Sequence, residues 1–441
     1  MRSIPKTGSA AGAVVVALLT STSAFAQEGN GLNGANTAWI LTSTALVLFM
    51  TLPGLALFYG GLVHTKNVLS TLMHCFAIAC LASVLWLAFV YSMAFGDGGS
   101  VNAFYGGFGK VFLAGVSADA LWGDIPETVF FMFQMTFAVI TPALIVGAFA
   151  ERMKFAAVLW FSGLWLVVVY APAAHWIWGG GMLSDGGLLG AGVRDFAGGI
   201  VVHVTAGTSA LVAAVMVGKR HGFPAEITPP HSPVLTMMGA GMLWVGWFGF
   251  NAGSALTSDG AAGMAMTVTH VSAATASLVW MALEWLRYGK PSLVGIVTGM
   301  VAGLATITPA SGFVGPFGGF VCGIAGGSIC FFATPWVKHR LGIDDSLDVF
   351  AVHGAGGMTG TLLTAILAAP ALGGMGLAEG ASIGTQFLVQ AAGILIVAAW
   401  SIALSFILLK AIDMTIGLRV SREAETEGLD ITTHGERGYS L

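Results

Sequence analysis

Two stretches of the chain, DFAGGIVVHVTAG (195–207) and DDSLDVFAVHGAGG (344–357), are built alike. Each sets one histidine inside an apolar run and surrounds it with glycines. With His203 and His353 aligned, the preceding valines Val202 and Val352 coincide, as do the glycines four residues on, Gly207 and Gly357. An ionisable side chain at membrane depth is rare and is a functional candidate by default. Recurrence of the element in the second half of the chain points to two related halves.

Working outward, the composition is that of a membrane protein. The 441 residues are 56% hydrophobic and only 9% charged, against about 25% charged in an ordinary soluble protein. The 63 glycines fit helices that approach one another closely in lipid. A net charge of −4 implies no nucleic-acid partner. Cys75, Cys80, Cys322 and Cys330 all fall in apolar runs without redox or metal spacing, and are read as small packing residues.

A spanning helix needs about 20 mostly apolar residues. Eleven such stretches follow one another, near 36–62, 67–95, 126–149, 155–175, 196–217, 233–254, 261–287, 291–309, 312–334, 350–369 and 384–413. Ahead of them, residues 1–26 have the pattern of a cleaved signal peptide: Arg2 and Lys6, an apolar Ala10 to Leu19, and an A-x-A site at Ala24–Ala26. The expected organisation is therefore 1–26 signal peptide, 27–413 membrane domain and 414–441 polar tail. The expected fold is all-α and polytopic, with the N-terminus outside and the C-terminus in the cytoplasm. Basic residues test that orientation, because they favour cytoplasmic loops. Thirteen of the 17 Lys and Arg residues fall on the proposed inner side, among them Arg152, Lys154, Lys219, Arg220 and Lys338; Lys110 and Arg194 fall outside, and Arg2 and Lys6 belong to the signal peptide.

The two histidine elements end the first five spans and the second five. Five is odd, so the halves insert in opposite senses, and inverted repeats place their site at the shared interface near the midplane. His203 and His353 are thereby brought together around a central pore. Two neutral imidazoles offer both N–H donors and nitrogen acceptors, which suits a small neutral polar solute and permits a shared proton. The isolated His74 and His270 are read as satisfied by neighbouring helices.

Asp195 and Asp348 each sit at the start of a histidine span. There a carboxylate either caps the helix, favoured by the macrodipole, or draws cations towards an entrance. Aromatic residues cluster near the outer ends of spans: Phe130, Phe131, Phe133 and Phe137, Trp178 in HWIWGGG, and Phe250 with Ser254 in GWFGFNAGSA (246–255). Such residues serve packing or, facing a lumen, form a cation–π cup worth roughly 2 kcal/mol when desolvated. No nucleotide-binding signature couples the chain to ATP.

These stretches, with LPGLALFYGGLV (52–63), FQMTFAVITPALIVGAFAERMKF (133–155), GKPSLVG (289–295) and GLRVSREAETEGLDITTHGERGY (417–439), make the chain resemble ammonium transporters of the Amt/Mep/Rh family, on the Amt side. The resemblance runs in order through essentially all of the mature chain. It implies a transporter rather than an enzyme, without cofactor or metal, in a bacterial inner membrane. It implies an outer ammonium-recruitment site of Trp178, Phe133, Phe137 and Ser254 and a phenyl gate of Phe137 and Phe250. It implies pore histidines at His203 and His353, and a structural role for Asp195. It further implies a homotrimer with one pore per subunit and a PII-type signal protein as cytoplasmic partner. His64 stands where relatives often carry a basic residue. A haem-binding cytochrome with His203 and His353 as axial ligands, and a dedicated ammonium sensor, are the competing readings.

Overall fold

In a bilayer no water is available to backbone N–H and C=O groups, so spanning segments bond internally as helices. A computed structural model describes residues 31–225, 229–377 and 380–439 of the chain. The signal peptide expected at 1–26 lies outside the described residues. Among the described residues ten helices are long and apolar enough to cross a membrane. In chain order they are α1 (Gly34–Leu62), α2 (Thr65–Phe95), α3 (Glu127–Phe149), α4 (Phe155–Ile177), α5 (Gly199–Val217), α6 (Pro233–Gly253), α7 (Gly260–Tyr288), α9 (Pro316–Arg340), α10 (Phe350–Leu367) and α11 (Ile383–Thr415). The eighth expected span is a shorter helix, α8 (Leu293–Ile307), of 15 residues, below the length a bilayer asks for on its own. Its start is fixed by Ser292 Oγ, which accepts from the Gly295 N–H at 2.9 Å. Its last seven residues are all buried in the bundle, and the chain then turns at Pro309. The only strands among the described residues are Leu121–Trp122 and Ile125–Pro126, a hairpin leading into α3.

Glycine sets the crossing of the two histidine helices. A side chain at Gly207 on α5 would collide with the backbone of Gly354 on α10, and one at Gly357 would strike Gly199 O and the Cβ of His203. The two positions matched by the sequence repeat are therefore the two contact points of the crossing. Both helices begin with a π turn, Gly199–Val204 and Phe350–Gly354, and each turn contains its histidine. Such turns free backbone carbonyls and recur at functional sites. In α5 the Thr205 hydroxyl reaches Val201 O at 2.7 Å and Val202 O at 3.0 Å.

Loops and tail meet at one end of the bundle, here the tail end; Trp178 and Ser254 lie at the other, the aromatic end. Arg152 is fully buried, with its guanidinium donating to carbonyls of Ala148, Ala150, Gly218 and Asp344 and to Ser346 Oγ. Its own carbonyl accepts from Val420 N–H at 3.0 Å, and Lys154 N–H donates to Leu418 O at 2.8 Å. One buried arginine thus ties α3, α5, the segment before α10 and the tail together. Beside it, Arg220 pairs with Asp344 at 2.8 Å and Glu151 at 3.0 Å, and His64 pairs with Glu151. Burial alone would raise the Glu151 carboxyl, but the His64 hydrogen bond and the Arg220 charge outweigh it and hold the pKa at about 2.

The tail folds into two short helices, α12 (Arg422–Glu427) and α13 (Leu429–His434). Asp430 accepts from the Leu69 and Ser70 N–H groups at 3.1 and 2.7 Å, and so caps the start of α2. Asn67 Oδ1 accepts from Leu429 N–H at 2.8 Å. Removing such a cap costs about 1 kcal/mol. Asp430→Ala is therefore expected to loosen the tail, seen as faster tryptic cleavage near Arg419 and Arg422. Cleavage at the wild-type rate would refute this docking.

Candidate functional site

At the aromatic end the backbone of residues 195–201 is organised by one carboxylate. Asp195, 5% exposed, accepts four N–H groups, from Gly198 and Gly199 on one oxygen and Ile200 and Val201 on the other, at 2.5–3.0 Å. Helix N-termini leave these donors unpaired unless a side chain takes them. Gly198 permits the turn with φ +110°, and a Cβ there would meet Val202 and the Trp178 ring. The Trp178 indole donates to the Asp195 carbonyl at 2.8 Å. Asp195 thus fixes both the start of α5 and the tryptophan above the lumen.

Beneath Trp178 the rings stack towards the centre. Phe137 lies 5.9 Å from Trp178 and 5.0 Å from Phe133, both edge-on, and 4.4 Å from Phe250. Ser254, half-buried at the end of α6, donates its hydroxyl to Phe250 O at 2.8 Å. Phe130 and Phe131 turn away from this group: Phe130 stacks on Trp122 at 4.2 Å, and Phe131 packs on Tyr91 at 5.0 Å. Of the four phenylalanines noted on α3, only Phe133 and Phe137 face the site.

His203 and His353 follow directly below. Their Nδ1 atoms are 3.2 Å apart. Two nitrogens at that distance share one proton, so one ring donates through Nδ1 while the other accepts. An ion bound between two imidazoles at about 2 Å from each would need them about 4 Å apart, which removes the axial-ligand reading for this arrangement. The His203 ring stacks on Trp247, 5.5 Å away and 23° from parallel. The Trp247 indole is held in turn by Thr308 Oγ1 at 2.9 Å. The cavity beside the pair is lined by Ile140, Leu144, Val202, Leu243, Trp247 and Phe250 with both histidines, and its volume is about 10 Å³. That is room for about one water-sized molecule. Its walls are almost wholly apolar, so an intact ion would find few groups to replace its water.

The sequence placed Asp348 at the start of α10 as the counterpart of Asp195; the structure gives that place to Asp345. Asp345 is buried and accepts from Phe350 N–H at 2.7 Å. It lies eight residues before His353, as Asp195 lies eight before His203. Burial, then the charge of Asp348, pushes its pKa up to about 6. Asp348 instead adopts a left-handed backbone, φ +62°, and pairs with Lys338 at 2.8 Å. Among the described residues His74, buried and stacked on Phe155, has no partner for either ring nitrogen, so the expected hydrogen bond from a neighbouring helix is not made there. His270 lies exposed on the bundle surface against Trp244. Cys80 is likewise exposed, while the other three cysteines are buried. Sequence reasoning missed Trp247, Asp345 and Arg152. The repeat could have found Asp345, whereas nothing local marks the other two.

Known proteins resemble the chain in sequence and in fold. The model of the Ammonium Transporter Family matches residues 38–439. The chain belongs to that family. It is 44% identical over 401 residues to an ammonium transporter of Bacillus subtilis (strain 168), covering 90% of this chain and 96% of the relative. Its fold superposes on the crystal structure of Candida albicans Mep2 with TM-score 0.81 and 36% identity, over 89% of this chain and 87% of the other. A solved sensor Amt protein matches with TM-score 0.83 and 28% identity, over 90% of this chain and 98% of that one. As a member of the Ammonium Transporter Family, the chain is a multi-pass membrane protein whose paired histidines sit in a bundle of the family's shape.

Proposed function

We propose that the chain takes up ammonium across a bacterial inner membrane, with its tail end in the cytoplasm and residues 27–413 forming the transport domain. Trp178, Phe133, Phe137 and Ser254 recruit the ion, and Phe137 with Phe250 gates the lumen. Stripping water from an ammonium ion costs on the order of tens of kcal/mol in a low-dielectric medium. The aromatic faces and the Ser254 hydroxyl replace part of that hydration. The ion then gives up a proton near the gate, and ammonia passes along His203 and His353 to be reprotonated inside, with net movement of charge. Potassium has no proton to give and is rejected.

The observation that carries this reading is the 3.2 Å histidine pair in a narrow apolar lumen directly beneath the stacked phenyl rings. The 13-to-2 split of basic residues supports the orientation. Family membership supports a homotrimer, and the tail docked through Asp430 supports control by a PII-type protein from the cytoplasm. The likeness to a sensor Amt protein favours, as second reading, a chain whose output is a signal; the histidine pair beneath the phenyl rings speaks for transport.

The test is an ammonium-jump current from purified protein in liposomes on a solid-supported membrane. A transient current absent from protein-free liposomes is expected. Internal alkalinisation without current would replace charge movement by neutral ammonia conduction, and neither signal would leave the sensor reading standing.

A further inference from the structure

Below His353 the lumen opens into a second cavity of about 170 Å³ at the tail end, bordered by Tyr59, Arg220, Lys338, Asp348 and His353. Its charged groups are not equivalent. Arg220 is committed to Asp344 and Glu151. Asp345 lies behind the wall, with one oxygen on Phe350 N–H. Asp348 is the carboxylate that lines the cavity, and it is held there at a backbone cost, since a non-glycine residue in the left-handed region is strained. The Lys338 ammonium lies 2.8 Å from its Oδ2, with side-chain exposures of 15% and 21% for the pair. A lysine head group is an alkylated ammonium. It presents three N–H donors on one positive charge, the same chemistry as the cation that leaves the pore under the reading above.

We propose that Asp348 forms a release site for ammonium-type cations at the pore exit, and that Lys338 keeps it filled with a tethered ammonium so that the emerging ion is turned out rather than retained. This inference rests on the transport reading and deepens it. Among the described residues no lysine pairs with Asp195 at the aromatic end, where its oxygens are spent on four backbone N–H groups. The two ends of the pore therefore handle a cation differently: one offers aromatic faces, the other a carboxylate already neutralised. Removing Lys338 leaves Asp348 free, with the Asp345 carboxyl close behind it, and the exit becomes a cation trap.

The experiment is ammonium uptake into right-side-out membrane vesicles, empty or preloaded with ammonium. For K338Q the maximal rate falls while the external half-saturating concentration holds. The internal ammonium concentration that halves uptake drops about tenfold, the factor carried by roughly 1.4 kcal/mol of charge pairing. K338R behaves as wild type, because guanidinium also fills the carboxylate, and K338Q/D348N relieves the inhibition. D348N alone, which keeps the lysine, is inhibited less by internal ammonium than wild type and tests the proposal even if K338Q fails to reach the membrane. A plain structural ion pair would lower the rates of K338Q and D348N alike and leave the internal inhibition unmoved, and that result overturns the proposal. Wild-type vesicles that take up no ammonium would instead overturn the transport reading on which it stands.

Discussion

Asp195→Ala is expected to abolish ammonium-driven current and to lower the thermal stability of the detergent-solubilised protein by many degrees. The carboxylate accepts four backbone N–H groups where α5 begins, all of them buried. An alanine leaves those donors without partners in a region that water does not reach. Each buried unsatisfied group costs about 1–3 kcal/mol, so the total loss is about 4 kcal/mol or more unless the turn rearranges. Rearrangement is itself damaging: the Asp195 carbonyl holds the Trp178 indole, and the π turn that follows carries His203. Asp195→Asn separates the contributions. Its amide oxygen still accepts two N–H groups, while the amide NH2 faces the other two as donor against donor. It should sit between wild type and alanine in both melting temperature and current. The pseudo-symmetric control is Asp345→Ala: the Asp345 side chain accepts the Phe350 N–H on one oxygen, while the other has no partner among the described residues. Its effect on stability should be clearly smaller. An Asp195→Ala protein that keeps both its melting temperature and its current would refute the organising role of this carboxylate.

The same acids show which parts of the molecule can be read from sequence. The spans were legible because apolar runs of membrane length have few alternatives in lipid, and the histidine pair was legible because the repeat superposes His203 on His353. The segment 344–348 was harder, since it holds three aspartates within five residues. The fold divides them: Asp344 to Arg220, Asp345 to the N–H of Phe350, Asp348 to Lys338. Proximity to the helix start favoured Asp348, but the chain enters its left-handed conformation at that residue and its carboxylate pairs with Lys338 instead of the helix start. Counting eight residues back from each histidine would have chosen Asp345. Arg152 and Trp247 were out of reach for a different reason. The partners of Arg152 lie in three separate elements, and Trp247 matters only through the ring it presses against His203. The tail was legible as polar, but not as docked. Its hold on Arg152 and Lys154 is made through backbone N–H and C=O groups, and Asp430, which caps Leu69 and Ser70, is one of several acids in the tail, so composition reveals neither.

Under the proposed transport reading, replacing the histidine pair, in His203→Ala/His353→Ala, is expected to let potassium drive a current that the wild-type protein rejects. The effect should be large because the barrier it removes is large. In the wild-type lumen the histidines, Trp247 and Phe250 leave only about 10 Å³, too little for an ion with its hydration shell. Entry of an intact cation therefore means desolvation, on the order of tens of kcal/mol before any compensation. Under the proposed reading, ammonium avoids this by releasing a proton. Two alanines remove both rings and their shared Nδ1 contact and open space continuous with the 170 Å³ cavity below, which His353 also borders. A column of water then fits, and a hydrated cation passes without deprotonation. Discrimination between ammonium and potassium should fall by about 100-fold, corresponding to roughly 2.7 kcal/mol of difference between the two barriers. The single variants test how the pair acts. His203→Ala strips the face of Trp247 and leaves His353 without its proton partner, while His353→Ala opens the lumen from the tail end and leaves His203 stacked on Trp247. If selectivity lies in dryness, either single variant leaks potassium in proportion to the water it admits, with His203→Ala the leakier because it also opens the stack beneath Phe250. If selectivity lies in proton transfer between the rings, both singles lose ammonium current equally and neither leaks. Potassium-jump currents on the three variants separate these outcomes, and a double variant that still rejects potassium would show that the phenyl gate above, not the histidine pair, holds the barrier.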